Sequence, residues 1–158
     1  LRGALGVQST PGGGTTITVT IPLTVAILPA MMVRVAEEVY AVPLSGIIEI
    51  VRPIVAQPES IMGERVMRLR GSALPLLDAD ALFDAPRGSG EGDRTVLVLC
   101  AGARRVGLRV TEVIGKQEVV VKPLDGLRKS GPFSGATVRN DGGVSLVLDV
   151  AGLIRASV

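Results

Sequence analysis

Short β-branched and apolar runs recur along this chain at intervals of roughly 8 to 12 residues, with glycine or proline in nearly every gap between them. Runs of that length are too short for helices with a buried stripe and read as strands. About ten of them in succession predict an all-β barrel or sandwich. The 158 residues hold one ordinary domain, or one domain and a fragment of another, and 47% of them are apolar, enough to bury a core.

The most telling stretch is Gly102 to Leu124. Two β-branched runs, Val106 to Val113 and Val119 to Val121, flank Gly115, and turn residues close each end, the pattern of small antiparallel strands. The stretch carries no nucleophile, base or metal ligand, and a surface of this kind is suited to gripping other proteins. Just before it, Thr95 to Cys100 is apolar at every position after the threonine, as in a strand covered on both faces. Cys100 ends that run, so its plainer reading is a small buried apolar side chain rather than a reactive thiol.

Upstream, the glycine loop Gly12 to Gly14 feeds the alternating strand Ile17 to Ile21. Three glycines before threonines make a turn more readily than a phosphate cradle, since no strand is expected before them and no helix follows. Val33 and Val35 alternate with Arg34, the chain turns near Glu37 and Glu38, and Val39 to Pro43 returns as a hairpin. A strand at Ile47 to Val51 follows. Arg52 to Glu64, with Pro53, Pro58 and Gly63, is expected to be loop, its Ile54, Val55, Ile61 and Met62 covering the core or forming an exposed patch. Val66 to Arg70 and Ala73 to Leu77 form a second hairpin about Gly71 and Ser72, where Pro75 suggests an edge or bulge. Asp78 is placed to cap a short helix over Ala79 to Phe83, and Ala85 to Asp93 has a mobile loop's composition. Asp125 to Ser134 is again loop. A last hairpin, Ala136 to Arg139 and Val144 to Val150, turns at Asn140 to Gly143 and leads to a helix from about Ala151.

Composition excludes several functions. No histidine or tryptophan occurs, and there is one tyrosine and two phenylalanines, so the usual general base, the commonest zinc ligand and base-stacking platforms are missing or scarce. Catalysis, cofactor binding and metal binding within this chain are therefore not expected. The basic set Arg104, Arg105, Arg109, Lys116 and Lys122 lacks interleaved aromatics and, with a formal charge of only +2, does not predict nucleic-acid binding. A single cysteine allows no internal disulfide. No apolar run reaches the roughly 18 residues of a membrane span, which predicts a soluble protein without membrane insertion, and the lone cysteine suits a reducing, cytoplasmic setting. The chain begins at Leu1 without a signal-peptide pattern and is expected to be a piece of a longer one.

Taken in order, several stretches resemble the CheW-like fold, and more narrowly the C-terminal regulatory domain of the chemotaxis histidine kinase CheA. They are Leu23 to Ile27, Tyr40 to Pro43, Ile48 to Ile50, Leu69 to Gly71 with Leu74 to Leu76, Val119 to Leu124, and Ser134 to Thr137 with Leu148 to Val150. CheW itself resembles only the part from about Met31 onward. Residues 1–23 look like the last strands of a GHKL-type ATP-binding module, the Gly12 to Thr16 run matching its closing Gly-x-Gly-Thr, which leaves 24–158 as the regulatory domain. The module's asparagine helix, its Asp-x-Gly loop and the phosphate-accepting histidine are absent here, so no ATP binding or phosphotransfer is implied. One departure is the first hairpin turn, where family members often have glycine and this chain has Glu37 and Glu38.

The resemblance implies two intertwined five-stranded SH3-like barrels with a groove between them and short helices. It implies docking to a CheW-type adaptor and to the cytoplasmic hairpin tip of a chemoreceptor, with signals passed to a kinase module of the same parent chain through Pro22 to Pro29. Alternatives are a stand-alone CheW-like adaptor and an enzyme fragment with weak nucleotide binding; weak self-association through barrel ends is also consistent. Arg70, followed by Gly71, matches an arginine near the receptor-facing groove, against the plainer reading of a solvated strand-edge arginine. Ile47, Val96, Leu97 and Gly107 align with groove positions, though ordinary core packing is the stronger reading for Val96 and Leu97. Glu49 aligns with an acidic position at the contact between CheA-type and CheW-type barrels, where a charge would select partner and orientation.

Overall fold

The computed structural model describes residues 4–20, 26–52, 58–86, 94–123 and 132–157. Among the described residues, thirteen strands and two short helices follow one another in the order β1 (Ala4–Thr10), β2 (Gly14–Thr20), β3 (Ala26–Val35), β4 (Glu38–Pro43), β5 (Ile47–Val51), β6 (Pro58–Ile61), β7 (Glu64–Leu69), β8 (Ser72–Asp78), α1 (Ala79–Leu82), β9 (Thr95–Ala101), β10 (Arg104–Val110), β11 (Glu112–Pro123), β12 (Phe133–Val138), β13 (Val144–Leu148) and α2 (Val150–Ala156). The all-β class expected from the spacing of the runs is the class observed. A 3-10 turn at Leu44–Gly46 joins β4 to β5.

Strands β11, β12, β13, β4 and β3 close into a five-stranded barrel. Its seam is the long β11, antiparallel to β3 from Glu112 opposite Arg34 to Val121 opposite Ala26. The intervening strands form a six-stranded sheet in the order β5, β9, β10, β8, β7, β6. The two units are thus nested: the barrel takes both ends of the region from Ala26 onward and the sheet takes its middle. The second unit has six strands where the resemblance implied five, because β6 joins its far edge.

Burial follows the alternation of each strand. Ala30, Met32, Ala41, Val119 and Val147 come from barrel strands alone and fill its interior. Val33, Val35, Tyr40 and Val42 point the other way, onto Leu97, Leu99, Leu108 and Val110 of the sheet and Leu153 and Ile154 of α2. This shared cluster joins the units. The sheet's other face holds Val51, Met67, Leu74, Leu76, Val96 and Val98. Strand β9 therefore contributes alternate residues to two cores, as its uninterrupted apolar run requires.

Several local expectations need correction. Arg52 to Glu64 is not all loop: β6 pairs with β7 from Pro58 opposite Met67 to Ile61 opposite Glu64. Proline is tolerated there because β6 is an edge. Ile61 and Met62 are exposed, at 42% and 101%, so they do not cover the core; Ile54 and Val55 lie outside the described residues. Pro75 is in β8, an internal strand, but the parallel pairing with β10 begins only at Leu76, so no N–H is required of it on that side. Gly115 does not separate two strands; it sits at a bulge inside β11, and the break from β10 falls at Thr111. Asp78 occupies the N-cap position of α1 without capping it, since its carboxylate accepts from Arg65 at 2.7 Å and Arg109 at 3.1 Å. In the first hairpin turn the left-handed position falls on Ala36, whose N–H donates to the Thr111 hydroxyl at 3.0 Å, so a contact with the distant β10–β11 junction supports what glycine would otherwise supply. The loop expected over Ala85 to Asp93 has residues 87–93 outside the described set, and that over Asp125 to Ser134 has residues 125–131 outside it.

Strands β1 and β2 form a two-stranded hairpin that pairs with neither unit. Its register sets Leu5 opposite Val19 and Val7 opposite Ile17, so all four share one face. Each is more than 60% exposed.

Candidate functional site

Strands β7 and β8 run antiparallel with Leu69 opposite Ser72, which leaves Arg70 and Gly71 as a two-residue turn. Both have positive φ, 49° and 84°, the type I′ geometry that matches strand twist. Glycine fills the second place without strain. Arginine in the first carries a backbone cost of about 1 kcal/mol or somewhat more, and asparagine or glycine would be cheaper there.

From that turn the Arg70 guanidinium reaches Glu49 on β5, donating to its carboxylate at 3.0 Å. The two strands stand at different positions in the sheet, with β9, β10 and β8 between β5 and β7. The pair therefore links parts of the sheet that are not neighbours in strand order. Beneath it lies a cleft of about 490 Å³ lined by Glu49, Leu69, Arg70, Ser72, Leu74 and Arg105, among others. The Arg70 side chain is 78% exposed and that of Glu49 is 25% exposed, so the pair contributes less than about 1 kcal/mol to stability.

The sequence-derived candidates separate into three settings. Glu49, Arg70 and Gly71 come together at this cleft. Ile47, two residues from Glu49, lies on the opposite face: a bulge sets Ile47 opposite Leu99 but Glu49 opposite Val98. Ile47 is half-buried against the shared core. Val96 and Leu97 are 1% and 0% exposed, so neither offers a surface to a partner in this fold; β9 has pairing strands on both sides and a core on both faces. Gly107 is buried too, and a Cβ there would stand 3.0 Å from Val96 Cγ1 and 3.1 Å from Leu76 Cδ1. Its role is close packing. Arg105 was legible only as one member of a basic set; the turn at Gly102 and Ala103, which brings β10 back beside β9, carries it to the cleft.

That basic set disperses. Arg109 is taken up by Asp78, while Lys116 and Lys122 belong to the barrel strand β11. A second cleft, of about 420 Å³, opens between the units and is lined by Ser45, Cys100 and Gly102 on one side and Ser134, Leu148 and Asp149 on the other. Cys100 is half-buried at this margin. The only tyrosine and both phenylalanines form one cluster, with ring centroids of Tyr40 4.6 Å from Phe83 and 5.7 Å from Phe133. Burial, and secondarily the charge of Glu38, raises the Tyr40 pKa above its ordinary value. No cluster of metal-ligating side chains occurs among the described residues.

These features define an all-β domain of nested barrel-like units. A profile of the CheW-like domain matches residues 29–158, and the chain belongs to the CheW-like domain family. It is 40% identical over 156 residues to the chemotaxis protein CheA of Salmonella typhimurium, covering 97% of this chain and 23% of that protein. It is 38% identical over 157 residues to the sensor histidine kinase CheAY of Helicobacter pylori, covering 98% of this chain and 19% of that one. This chain thus spans about a quarter or less of the relatives' length. The crystal structure of the scaffolding protein TtCheW from Thermoanaerobacter tengcongensis shares the fold, with a TM-score of 0.62 at 18% identity over 78% of this chain and 89% of that one. Among the described residues no helix is long and apolar enough to cross a membrane.

Proposed function

We propose that this chain is the non-catalytic coupling domain of a cytoplasmic CheA-type chemotaxis kinase, needing no cofactor of its own. It docks a CheW-type adaptor and a chemoreceptor's cytoplasmic tip and passes their state to a kinase module in the same parent chain. One observation carries the choice of CheA over a free-standing adaptor. The likeness to CheA proteins extends over 97% of the chain, whereas the CheW-like profile begins only at residue 29. The added part includes the β1–β2 hairpin, whose uncovered apolar face is what the last hairpin of a preceding module would present. The adaptor reading is the second choice, supported by the match to most of the TtCheW chain.

The test is co-sedimentation with CheW and a receptor-tip fragment. Arg70→Ala is expected to weaken capture about tenfold, as loss of a central arginine does at many interfaces. Unchanged capture of both partners would refute the site. Ile47→Asp is a poorer probe than its sequence position suggests, because Ile47 packs on the shared core and its loss would disturb folding. Calorimetry with ATP and magnesium tests the enzyme-fragment alternative; micromolar binding would support it.

A further inference from the structure

We propose that the Asp141–Gly142 link, in the turn between β12 and β13, is a site of spontaneous isoaspartate formation that the Arg139 side chain holds in check. The turn is Arg139-Asn140-Asp141-Gly142-Gly143, closed by Val138 opposite Val144 as the last rung of the two strands. Aspartate before glycine is chemically labile because glycine has no Cβ to hinder attack by its own backbone nitrogen. The Gly142 nitrogen bonds to Asp141 Cγ, a carboxyl oxygen leaves with two protons as water, and a succinimide ring results. Water then opens the ring at either carbonyl. One product is the original aspartate; the other is isoaspartate, whose main chain runs through Cβ and Cγ and is one methylene longer. The steps need no oxidant or cofactor.

Attack requires a protonated carboxyl turned toward a nitrogen that can lose its proton, and the turn opposes each condition. Arg139 Nε and Nη2 donate to the Asp141 carboxylate at 3.2 to 3.4 Å, favouring its ionised form. The Gly143 N–H donates to Asp141 Oδ1 at 2.9 Å and draws the carboxylate past Gly142. The Gly142 N–H is already bonded to the Arg139 carbonyl at 3.0 Å. The Gly143 bond first, and the Arg139 side chain second, hold the Asp141 carboxyl below its ordinary pKa. The guanidinium is itself fixed, since Nη1 donates to the Val144 carbonyl at 3.2 Å and to the hydroxyl of buried Ser145 at 2.8 Å. A Cβ at Gly143 would collide with Arg139 Nη2, so glycine there makes room for the arginine. The extra methylene matters because this turn sets the register of β13, which closes the barrel against β4.

The experiment incubates the whole chain and its Arg139→Gln variant at 37 °C across pH 4 to 8. Isoaspartate is located by peptide mapping and counted with an isoaspartate-specific methyltransferase. Asp125–Gly126, the same dipeptide outside the described residues, is the reference within each sample. At pH 5 the variant is expected to isomerise at Asp141 about threefold to tenfold faster, with the reference unchanged. Without the guanidinium the carboxyl stays protonated to higher pH, so the fall in rate with rising pH should also begin later. An unchanged rate, an increase by one factor at every pH, or isoaspartate arising from deamidated Asn140 instead would each overturn the inference. A second measurement needs no variant: the unaltered chain unfolded in guanidinium should isomerise at Asp141 at least about threefold faster than when folded, and equal rates would refute the protection.

Discussion

Tyr40 is the sole tyrosine in a chain without tryptophan, so its ionisation is readable in isolation by absorbance near 295 nm. Burial and the Glu38 charge both disfavour the phenolate, and the midpoint is expected above the ordinary value of 10.0. A group with a raised folded-state pKa contributes stability that is complete below its unfolded value and is lost as pH rises through the folded one. Alkaline destabilisation should therefore begin near pH 10 and track the tyrosine titration. Glu38→Gln is expected to lower the midpoint only partly, since burial is the larger cause; a complete return to the ordinary value would contradict that ranking. Gly107 gives a second check: Gly107→Ala forces a methyl against Val96, Leu76 and Leu74 and should cost about 1 to 3 kcal/mol in chemical denaturation. This residue, with Val96 and Leu97, also shows where sequence reading stops. Alternation assigns one of two neighbours to a surface only when one face of the strand is wet, and β9 has no wet face. Arg70 and Glu49 were each singled out from sequence, but 21 residues separate them and only the turn at Arg70 and Gly71 makes them one site.

Among elements, those defined by local pattern were legible: the β3–β4 hairpin, the doubly covered β9, and the β12–β13 hairpin with α2 behind it. The misreadings occurred where a distant partner overrides local chemistry. Pro58 and Gly63 suggest a loop, yet β7 offers a template on which an edge strand forms. Asp78 resembles a helix cap, yet two arginines from other strands claim it. This last point is testable. Asp78→Ala would leave Arg109, whose side chain is 12% exposed, without its partner, and should cost about 1 to 3 kcal/mol by denaturant unfolding. Arg65→Ala, at the exposed side of the same carboxylate, should cost less than about 1 kcal/mol. The β1–β2 hairpin makes the opposite prediction. Because it pairs with neither unit, deleting residues 1–20 should change the unfolding free energy of the remainder by less than about 0.5 kcal/mol; a larger loss would mean that its apolar face is covered within this chain.

At the scale of the whole molecule, the barrel and the six-stranded sheet share their largest core, built from β3, β4, β9, β10, β13 and the two short helices. Neither can be exposed without uncovering the other, so the two are expected to unfold in one transition. Tyrosine fluorescence, reporting the barrel through Tyr40, and thiol labelling of Cys100, reporting the end of β9, should give coincident denaturant midpoints. Separate midpoints would show the units to be independently stable. The nesting also sets an order of assembly. As the chain leaves the ribosome, every strand of the six-stranded sheet is available once Val110 has emerged, but the barrel cannot close until β13 is complete at Leu148. Until β11 is complete at Pro123, β3 and β4 are a hairpin with apolar side chains and no seam to join, and the newborn protein must shield them before it has finished the unit to which they belong.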